Sequence, residues 1–237
     1  MAILTGMFVA KFLAGAVAVL TSFRYGAGLY AYRQTELLER PDYTIIRQLS
    51  DGIEIRHYEP YLIAETTVDG SGFREPTGNG FRSCAGYIFG KNKKRRGGWY
   101  FGGSSNDTSE KMAMTAPVRV DGNMDESKRT KVSFVIGKKY SLKTAPVPMD
   151  KNVKLRQVPA HTLAVRTFSG PPPKDDRVQK ERQKIEVALE KAGMALTTTA
   201  YSASSHDTTL VYGYHDPFIT PNFLRRNEVA VVIDGSV

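Results

Sequence analysis

The sequence is poor in the residues that build disulfides and metal sites. It contains a single cysteine, Cys84, and four histidines among 237 residues. A lone cysteine forms no intramolecular disulfide and cannot build a cysteine-based zinc site, so stability has to come from packing. The histidines (His57, His161, His206 and His215) are scattered without metal-ligand spacing. Because the Gly-x-Ser-x-Gly and His-Glu-x-x-His signatures are also missing, we expect a protein that is not an enzyme.

The composition is that of a folded protein with an uneven charge. Hydrophobic residues make up 41% and charged residues 24%, which excludes a disordered or fibrous chain. The 33 basic and 24 acidic residues give a net charge of +9, which favours anionic partners. Much of this excess comes from one run, consisting of Lys91, Lys93, Lys94, Arg95 and Arg96.

Aromatic residues follow this basic run. Two glycines separate it from Trp99, Tyr100 and Phe101, so we predict a flexible loop with an aromatic tip. Cations beside aromatic rings suit a membrane interface or an acidic ligand. They also suit single-stranded nucleic acid, or simply a solvated loop whose rings fold back on the core. We favour the membrane surface over nucleic acid because the chain begins with an apolar segment.

Residues 2–23 are almost wholly apolar, and about 20 helical residues cross a bilayer. A stripe of small residues at every fourth position would allow close helix packing in a membrane. It consists of Gly6, Ala10, Ala14 and Ala18. We predict a single-pass anchor within residues 1–30, with Arg24 and Arg33 on the cytoplasmic side or its organellar equivalent. Lys11 opposes this prediction, because a lysine at mid-membrane costs about 2.5–3.5 kcal/mol.

Two alternatives to the anchor stay open. Lys11 and the apolar stretch after it also fit a secretory signal peptide that is cleaved near Gly26 or Gly28. The segment could instead form a buried helix of the folded domain. In either case residues 31–42, which are polar and end at Pro41, are predicted to be a linker.

The remaining chain consists of two similar halves. The segment 53–68 aligns with 153–168, with Arg56/Arg156, Ala64/Ala164 and Thr67/Thr167 identical. Each segment reads as two strands that lead into a helix, and further strands are predicted near 114–120, 131–136, 209–214 and 228–233. We therefore predict an α+β domain over 43–237 with a tandem ββαββ pseudo-repeat, its halves spanning about 43–140 and 150–234. Two such units can pair into a barrel-like core with the helices outside.

Five motifs, in order, resemble the SOUL haem-binding protein family. They are Asp51–Tyr58, Ala64–Thr67, Gly86–Gly90, Lys111–Val118 and the Asp216–Val229 stretch with its Arg-Arg-Asn-Glu-Val string. The resemblance covers about residues 43–234 and is greatest to bacterial and plastid-type members. It implies a distorted antiparallel β-barrel flanked by two helices, here with an added N-terminal apolar helix. It also implies binding of haem or another tetrapyrrole for storage or transport rather than catalysis.

The resemblance further implies candidate site residues. His57 stands where some members carry a proposed axial haem ligand, and the alternative is a hydrogen-bonded core histidine. Arg56 and Arg156 are candidates for the porphyrin propionates, unless each pairs with a carboxylate such as Glu54 or Glu65.

Two methionines are further candidates for the binding site, and an alternative function stays open. Met112 and Met114 would line an apolar cleft, or else belong to the barrel core. The alternative function is a non-catalytic interaction subunit of a membrane protein complex, which would use the barrel as a scaffold and the small-residue stripe as its contact.

Overall fold

The computed structural model describes residues 2–70, 73, 77–95, 109–123, 129–194 and 208–233; for residues 2–13, 77, 123 and 208 it describes the backbone alone. Its helices are α1 (Ala2–Glu36), α2 (Thr77–Ile88) and α3 (Asp175–Lys191). Its strands are β1 (Tyr43–Gln48), β2 (Ile53–Tyr58), β3 (Tyr61–Asp69), β4 (Asn92–Lys93), β5 (Val118–Asn123), β6 (Arg129–Ile136), β7 (Val147–Pro148), β8 (Lys154–Val158), β9 (His161–Ser169), β10 (Thr208–Gly213) and β11 (Arg226–Ile233).

Nine of these strands form one curled antiparallel sheet. Their order is β1-β2-β9-β11-β10-β5-β6-β3-β8, and β4 pairs separately with β7. From β2 to β8 the order is symmetric about the β10–β5 pair, because each strand of one half has its counterpart at the mirrored position. The tandem ββαββ repeat and the α+β half-barrel are therefore confirmed. The two halves exchange their first strands, since β2 pairs with β9 and β8 pairs with β3.

The sheet is buried on both faces. On one face, α3 covers Ile53, Ile55 and Val229, while α2 covers Phe134 and Ala64. On the other face the strands curl over their own side chains, and a third cluster forms around residues such as Tyr58, Leu163, Leu210, Tyr212 and Ala230. We call this second face the barrel interior. It explains why Arg56 and Tyr58 are buried although they alternate with Ile53 and Ile55.

The β1–β2 hairpin turns at Asp51-Gly52, a dipeptide typical of hairpin turns. Asp51 has a φ of 60° and Gly52 a φ of 66°, the left-handed conformation that two-residue hairpin turns need at both central positions. The hairpin carries β1 at the sheet edge, where all six of its residues are exposed.

Helix α1 continues to Glu36, into the segment 31–42 that was predicted to be a linker. It stays helical to Glu36 because its last turns dock on the barrel: Tyr32 stacks on His215, and Glu36 lies 3.3 Å from the His215 Nε2. Among the residues whose side chains are described, no helix is long and apolar enough to span a membrane. The transmembrane anchor therefore has no support from this part of the chain and stays a prediction. Ala14 and Ala18 of the small-residue stripe are exposed, whereas Gly6 and Ala10 lie in the part of α1 whose backbone alone is described.

Two other boundaries differ from the predictions. The strand predicted near 114–120 begins only at Val118, because Met112 and Met114 pack against the α2 cluster before the strand starts. The part of the basic run before Arg96 is not a free loop. Asn92 is fully buried and donates to the Tyr87 and Glu110 carbonyls, which fixes Lys93 in the β4–β7 ribbon.

Candidate functional site

A wide open groove of about 870 Å³ lies between the end of β9 and the loop that precedes β11. Phe168, Pro171, Pro172 and Pro173 form one wall, and Pro217 with Phe218 forms the other. Lys174, Arg177 and Arg225 add cationic groups at its edges, together with the carboxylate of Asp176. We call this site the proline groove. Its volume is in the range that small-molecule and cofactor sites occupy.

The proline wall is held in place by backbone geometry and one amide. Gly170 has a φ of 137°, which lets the chain turn sharply after β9. The three prolines that follow have restricted backbone angles, so they present a rigid apolar surface. Asn227 fastens this turn, since its side-chain amide donates to the Gly170 carbonyl at 3.0 Å.

The opposite wall is equally fixed. The Asp216 carboxylate accepts hydrogen bonds from the backbone N–H groups of Phe218 and Ile219, at 2.7 and 2.8 Å. Arg225 donates from its guanidinium to the Thr220 and Pro217 carbonyls. These bonds hold the loop in a single shape, with the Phe218 ring 80% exposed.

Arg225 gives the groove an unneutralised buried charge. It is only 7% exposed, its hydrogen bonds go to backbone carbonyls, and no carboxylate among the described residues lies within 4 Å of it. Burial, together with the neighbouring charge of Arg24, lowers its pKa from the usual range in spite of the attraction of Asp216. A buried cation without an ion pair favours an anionic ligand nearby.

A second polar cluster occupies the barrel interior. The Glu228 carboxylate, fully buried, lies 3.0 Å from the Arg56 guanidinium and 2.6 Å from that of Arg226, and it accepts a hydrogen bond from the Tyr214 hydroxyl at 2.7 Å. Burial alone would raise the pKa of Glu228, but Arg56 and Arg226 keep it below the usual value. Burial also raises the pKa of the Tyr214 hydroxyl well above its usual value.

The cavity beside this cluster is small. It encloses about 30 Å³ between the Arg40-Pro41 segment and the tyrosines Tyr43, Tyr58, Tyr61, Tyr212 and Tyr214. That is room for water molecules and not for a macrocycle. The three arginines that line it are also matched by carboxylates: Arg40 by Glu36, Arg226 by Glu228, and Arg119 by Asp121. The interior is therefore a stabilising network, whereas the proline groove, at about 870 Å³, has room for a ligand.

The groove fits the organic part of a porphyrin better than its iron. Apolar walls suit the ring, and cations suit its two carboxylates. Among the residues that line it there is no histidine, cysteine, methionine or tyrosine to serve as an axial ligand. Groups of three or more potential metal-binding side chains are also absent from the described part of the chain.

The predicted axial ligand lies elsewhere. His57 is half-buried on β2, and its Nδ1 is 3.2 Å from the Thr162 hydroxyl oxygen. Thr162 is six residues before Phe168 on the same strand, about 20 Å at 3.3 Å per residue, so His57 and the groove are at opposite ends of β9. Iron ligation by His57 stays a prediction, but the structure does not bring His57 together with the groove.

The other predicted residues are accounted for by local packing. Arg56 pairs with Glu54 as well as Glu228, and Arg156 pairs with Glu65 at 2.9 Å, so both arginines show the carboxylate pairing that was the alternative to a propionate contact. Met112 is buried in the α2 cluster with Met114 packed against it, which matches the core alternative.

The structure describes the basic run as far as Arg95. Lys91, Lys93, Lys94 and Arg95 are exposed, and the Arg95 Nε donates to the Ala145 carbonyl at 2.8 Å. Arg96 and Trp99 lie outside the described residues. The run's role as a membrane or acidic-ligand surface stays a prediction.

Comparison with known sequences decides the family. The pattern of the SOUL heme-binding protein family matches residues 38–232, which is most of the chain. The chain belongs to the SOUL heme-binding protein family. Membership supports tetrapyrrole binding as the general function. None of the curated proteins matches the chain.

Solved structures share this fold at low identity. A hydrolase from Listeria innocua is 11% identical with a TM-score of 0.51, over 77% of this chain and 91% of that chain. A second hydrolase from the same organism is 12% identical with a TM-score of 0.51, over 81% of this chain and 94% of that chain. An uncharacterised conserved protein, also from Listeria innocua, gives 11% identity and a TM-score of 0.51, over 77% and 92%. At these identities the likeness extends to the fold alone.

Sequence reasoning missed the groove although its parts were visible. The three consecutive prolines match no functional motif, and the Asp216-Pro-Phe string carries only the family resemblance. The two segments are more than 40 residues apart in the sequence, and only the β9–β11 pairing brings them together. A triple proline beside a glycine, followed by basic residues, was the available signal.

Proposed function

We propose that the chain binds a tetrapyrrole in the proline groove, without catalysing a reaction on it. The observation that carries this proposal is the combination of rigid apolar walls with the buried, unpaired charge of Arg225. Family membership supports the ligand class, and the volume of the groove supports its location. Storage or transport follows as the role, since an open groove exchanges its ligand readily.

The ligand would be held by its ring and its carboxylates. The porphyrin face would stack against Pro171–Pro173 and Phe218, while the carboxylates would meet Lys174, Arg177 and Arg225. Arg177 already lies 5.1 Å above the Phe168 ring, which fixes its guanidinium at the edge of the groove. Binding of this kind needs no protein ligand on the iron and accepts metal-free porphyrins as well.

The test is a titration with haem and with metal-free protoporphyrin, followed by absorption and fluorescence. Lys174→Glu is expected to weaken both ligands about fivefold, since it reverses a partly screened ion pair. Lys191→Glu is the control, an exposed lysine at the far end of α3, which begins just after Lys174. No spectral change with either porphyrin at micromolar concentration would reject the proposal.

His57→Ala separates the two modes of binding. Groove binding predicts the same haem spectrum in this variant as in the wild type. A changed Soret band with unchanged affinity for metal-free protoporphyrin would instead support ligation by His57 and place the haem iron away from the groove.

We also propose that the N-terminal segment attaches the barrel to a membrane. The apolar residues 2–23 support this, together with the exposure of Val17, Val19, Leu20 and Phe23 on α1, each at 62% or more. Retention of the full chain in the membrane fraction after a carbonate wash is the expected result. A mature chain that lacks the first 25 or so residues would instead indicate a cleaved signal peptide.

The exposed Ala14 and Ala18 would also suit packing on a partner helix, as an interaction subunit would need. Purification in mild detergent tests this second function. A stable partner protein with no bound pigment would favour it over tetrapyrrole binding.

A further inference from the structure

The loop from Pro217 to Leu224 exposes large apolar side chains that do not pack into the core. Phe218 is 80%, Ile219 49% and Phe223 66% exposed, three within six residues. The loop is not held by these side chains. It is held by the Asp216 cap, by the Arg225 guanidinium and by the Leu224 N–H bond to the Pro221 carbonyl. A rigid loop that displays an apolar cluster is typical of a contact surface.

A glycine of α1 fixes the position of this loop along the helix. A Cβ at Gly28 would lie 2.6 Å from the Pro221 Cδ, so helix and loop touch with no room for a side chain. The rise of 1.5 Å per residue puts Arg24 about 6 Å further along the helix axis than Gly28. The apolar segment of residues 2–23 ends just before Arg24. The loop therefore lies within about one helical turn of the point where a membrane-inserted segment would leave the hydrocarbon.

The side chains at this level have the composition of a membrane interface. Tyr25 and Tyr30 are exposed on α1, at 53% and 66%. Tyrosine and other aromatic rings are enriched at the level of the headgroups, where the ring lies against acyl chains and the polar end meets water.

The charges at this level are basic. Arg24 is exposed, and its charge contributes to the lowered pKa of the nearby Arg225. Lys174 and Arg177 lie across the groove. The acidic groups near this cluster are Asp216, which caps the loop, Asp176, and Glu181, which pairs with Arg177 at 2.7 Å. Clustered arginines and lysines next to a bilayer attract anionic headgroups.

We infer that the loop 217–224 lies in the headgroup layer of an anionic bilayer, beside the point where α1 enters it. Phe218, Ile219 and Phe223 contact the upper acyl chains, while the exposed Arg24 faces lipid phosphates. The inference rests on the proposed membrane attachment and deepens the proposed function, because Phe218 is shared with the proline groove. The groove then opens at the lipid surface, and an apolar tetrapyrrole passes between membrane and protein without crossing water.

Depth-dependent fluorescence quenching tests this contact in the full chain. Trp99→Phe removes the single tryptophan, and Phe223→Trp then places a probe on the loop at a residue outside the groove lining. Phe81→Trp, on the exposed face of α2, is the matched control. The proteins are reconstituted in phosphatidylcholine–phosphatidylserine vesicles that contain lipids brominated near the headgroup.

The probe at 223 is expected to shift to the blue and to lose about half of its emission, as interfacial tryptophans do, while the probe at 81 keeps its emission. Vesicles of phosphatidylcholine alone are expected to quench it less. An unquenched probe at 223 in a chain that floats with the vesicles overturns the inference, and so does a full chain that fails to float.

Haem titration of the Phe223→Ser variant without vesicles separates this inference from the proposed function. Normal haem affinity together with an unquenched probe at 223 means that the inference fails while groove binding stands. A wild-type chain that binds no porphyrin, together with a quenched probe at 223, means that the proposed function fails while the inference stands.

Discussion

At the residue scale, the two pseudo-equivalent arginines show how position in the barrel changes the role of a side chain. Arg56 and Arg156 align in the repeat, and both lie on the interior face. The Arg56 side chain is 2% exposed and pairs with the fully buried Glu228, whereas the Arg156 side chain is 36% exposed and pairs with Glu65 at the sheet edge. The first pair is thus much less screened by solvent than the second.

Replacement of Glu228 by glutamine is expected to destabilise the protein strongly. It leaves the Arg56 and Arg226 guanidiniums without their shared carboxylate in a buried site, which costs about 3–5 kcal/mol. Urea unfolding measures this change. Glu65→Gln, which breaks the partly exposed pair with Arg156, is the control and is expected to cost about 1 kcal/mol or less. Equal effects of the two substitutions would contradict this account of the interior.

Acid is expected to destabilise the fold through His161. Burial lowers the pKa of His161 to about 4, while its ordinary value is 6.5. The unfolded chain therefore takes up a proton between these values that the folded chain does not, so stability is full above about pH 6.5 and falls toward pH 4. The loss amounts to about 3 kcal/mol at 1.36 kcal/mol per pH unit.

Urea unfolding from pH 7 down to pH 4.5 measures this loss. His161→Phe keeps the stacking on Tyr58 and removes the titrating group, so its stability is expected to fall less over the same interval. An unchanged pH dependence in this variant would show that other groups account for acid unfolding.

Much of this residue-scale detail was outside the reach of the sequence. The local partner of Arg56, Glu54, was predictable because residues i and i+2 share a strand face. Its main partner, Glu228, is 172 residues away, and β9 and β11 must pair before the two side chains meet.

At the element scale, the repeat was predictable and the exchange of strands was not. Alternating apolar residues and the offset of 100 residues indicated two ββαββ units. Which unit each first strand joins depends on how the sheet closes, and β2 and β8 each pair with the other half. The full burial of both faces has the same origin, because curling encloses the side that carries Arg56 and Tyr58.

Helix α1 is the element whose assignment changed most. Polar residues at 31–42 indicated a linker, but Tyr32 and Glu36 use the last turns of the helix to dock on His215. Polar composition alone does not distinguish a linker from a helix that packs through polar contacts.

Gly28→Ala is expected to loosen this docking. The added Cβ would lie 2.6 Å from the Pro221 Cδ, and relief of such overpacking costs about 1–3 kcal/mol. Hydrogen exchange over residues 28–36 should therefore quicken.

Gly26→Ala is the matched control on the same helix. Its Cβ meets nothing within 4 Å, so alanine should stabilise α1 by about 0.5–1 kcal/mol through helix propensity. Slower exchange in both variants would show that α1 does not rest on the Pro221 loop.

At the scale of the whole molecule, the buried charges and the surface charges have different surroundings. The barrel interior pairs its buried arginines with carboxylates, while further cations lie at the proline groove, where Arg177 pairs with Glu181, and on the β4–β7 ribbon. Both regions contribute to the net charge of +9. Sequence composition gave the excess and its concentration in the basic run, but the groove cations became a cluster only through folding.

The central claim is that a tetrapyrrole occupies the proline groove, and hydrogen exchange of the full chain with and without haem tests it most directly. Binding in the groove predicts slower exchange in two separate segments, 168–177 and 218–225, with little change around His57. Protection confined to residues 53–58 and 161–163, or no protection at haem concentrations that saturate the absorption change, would contradict the claim.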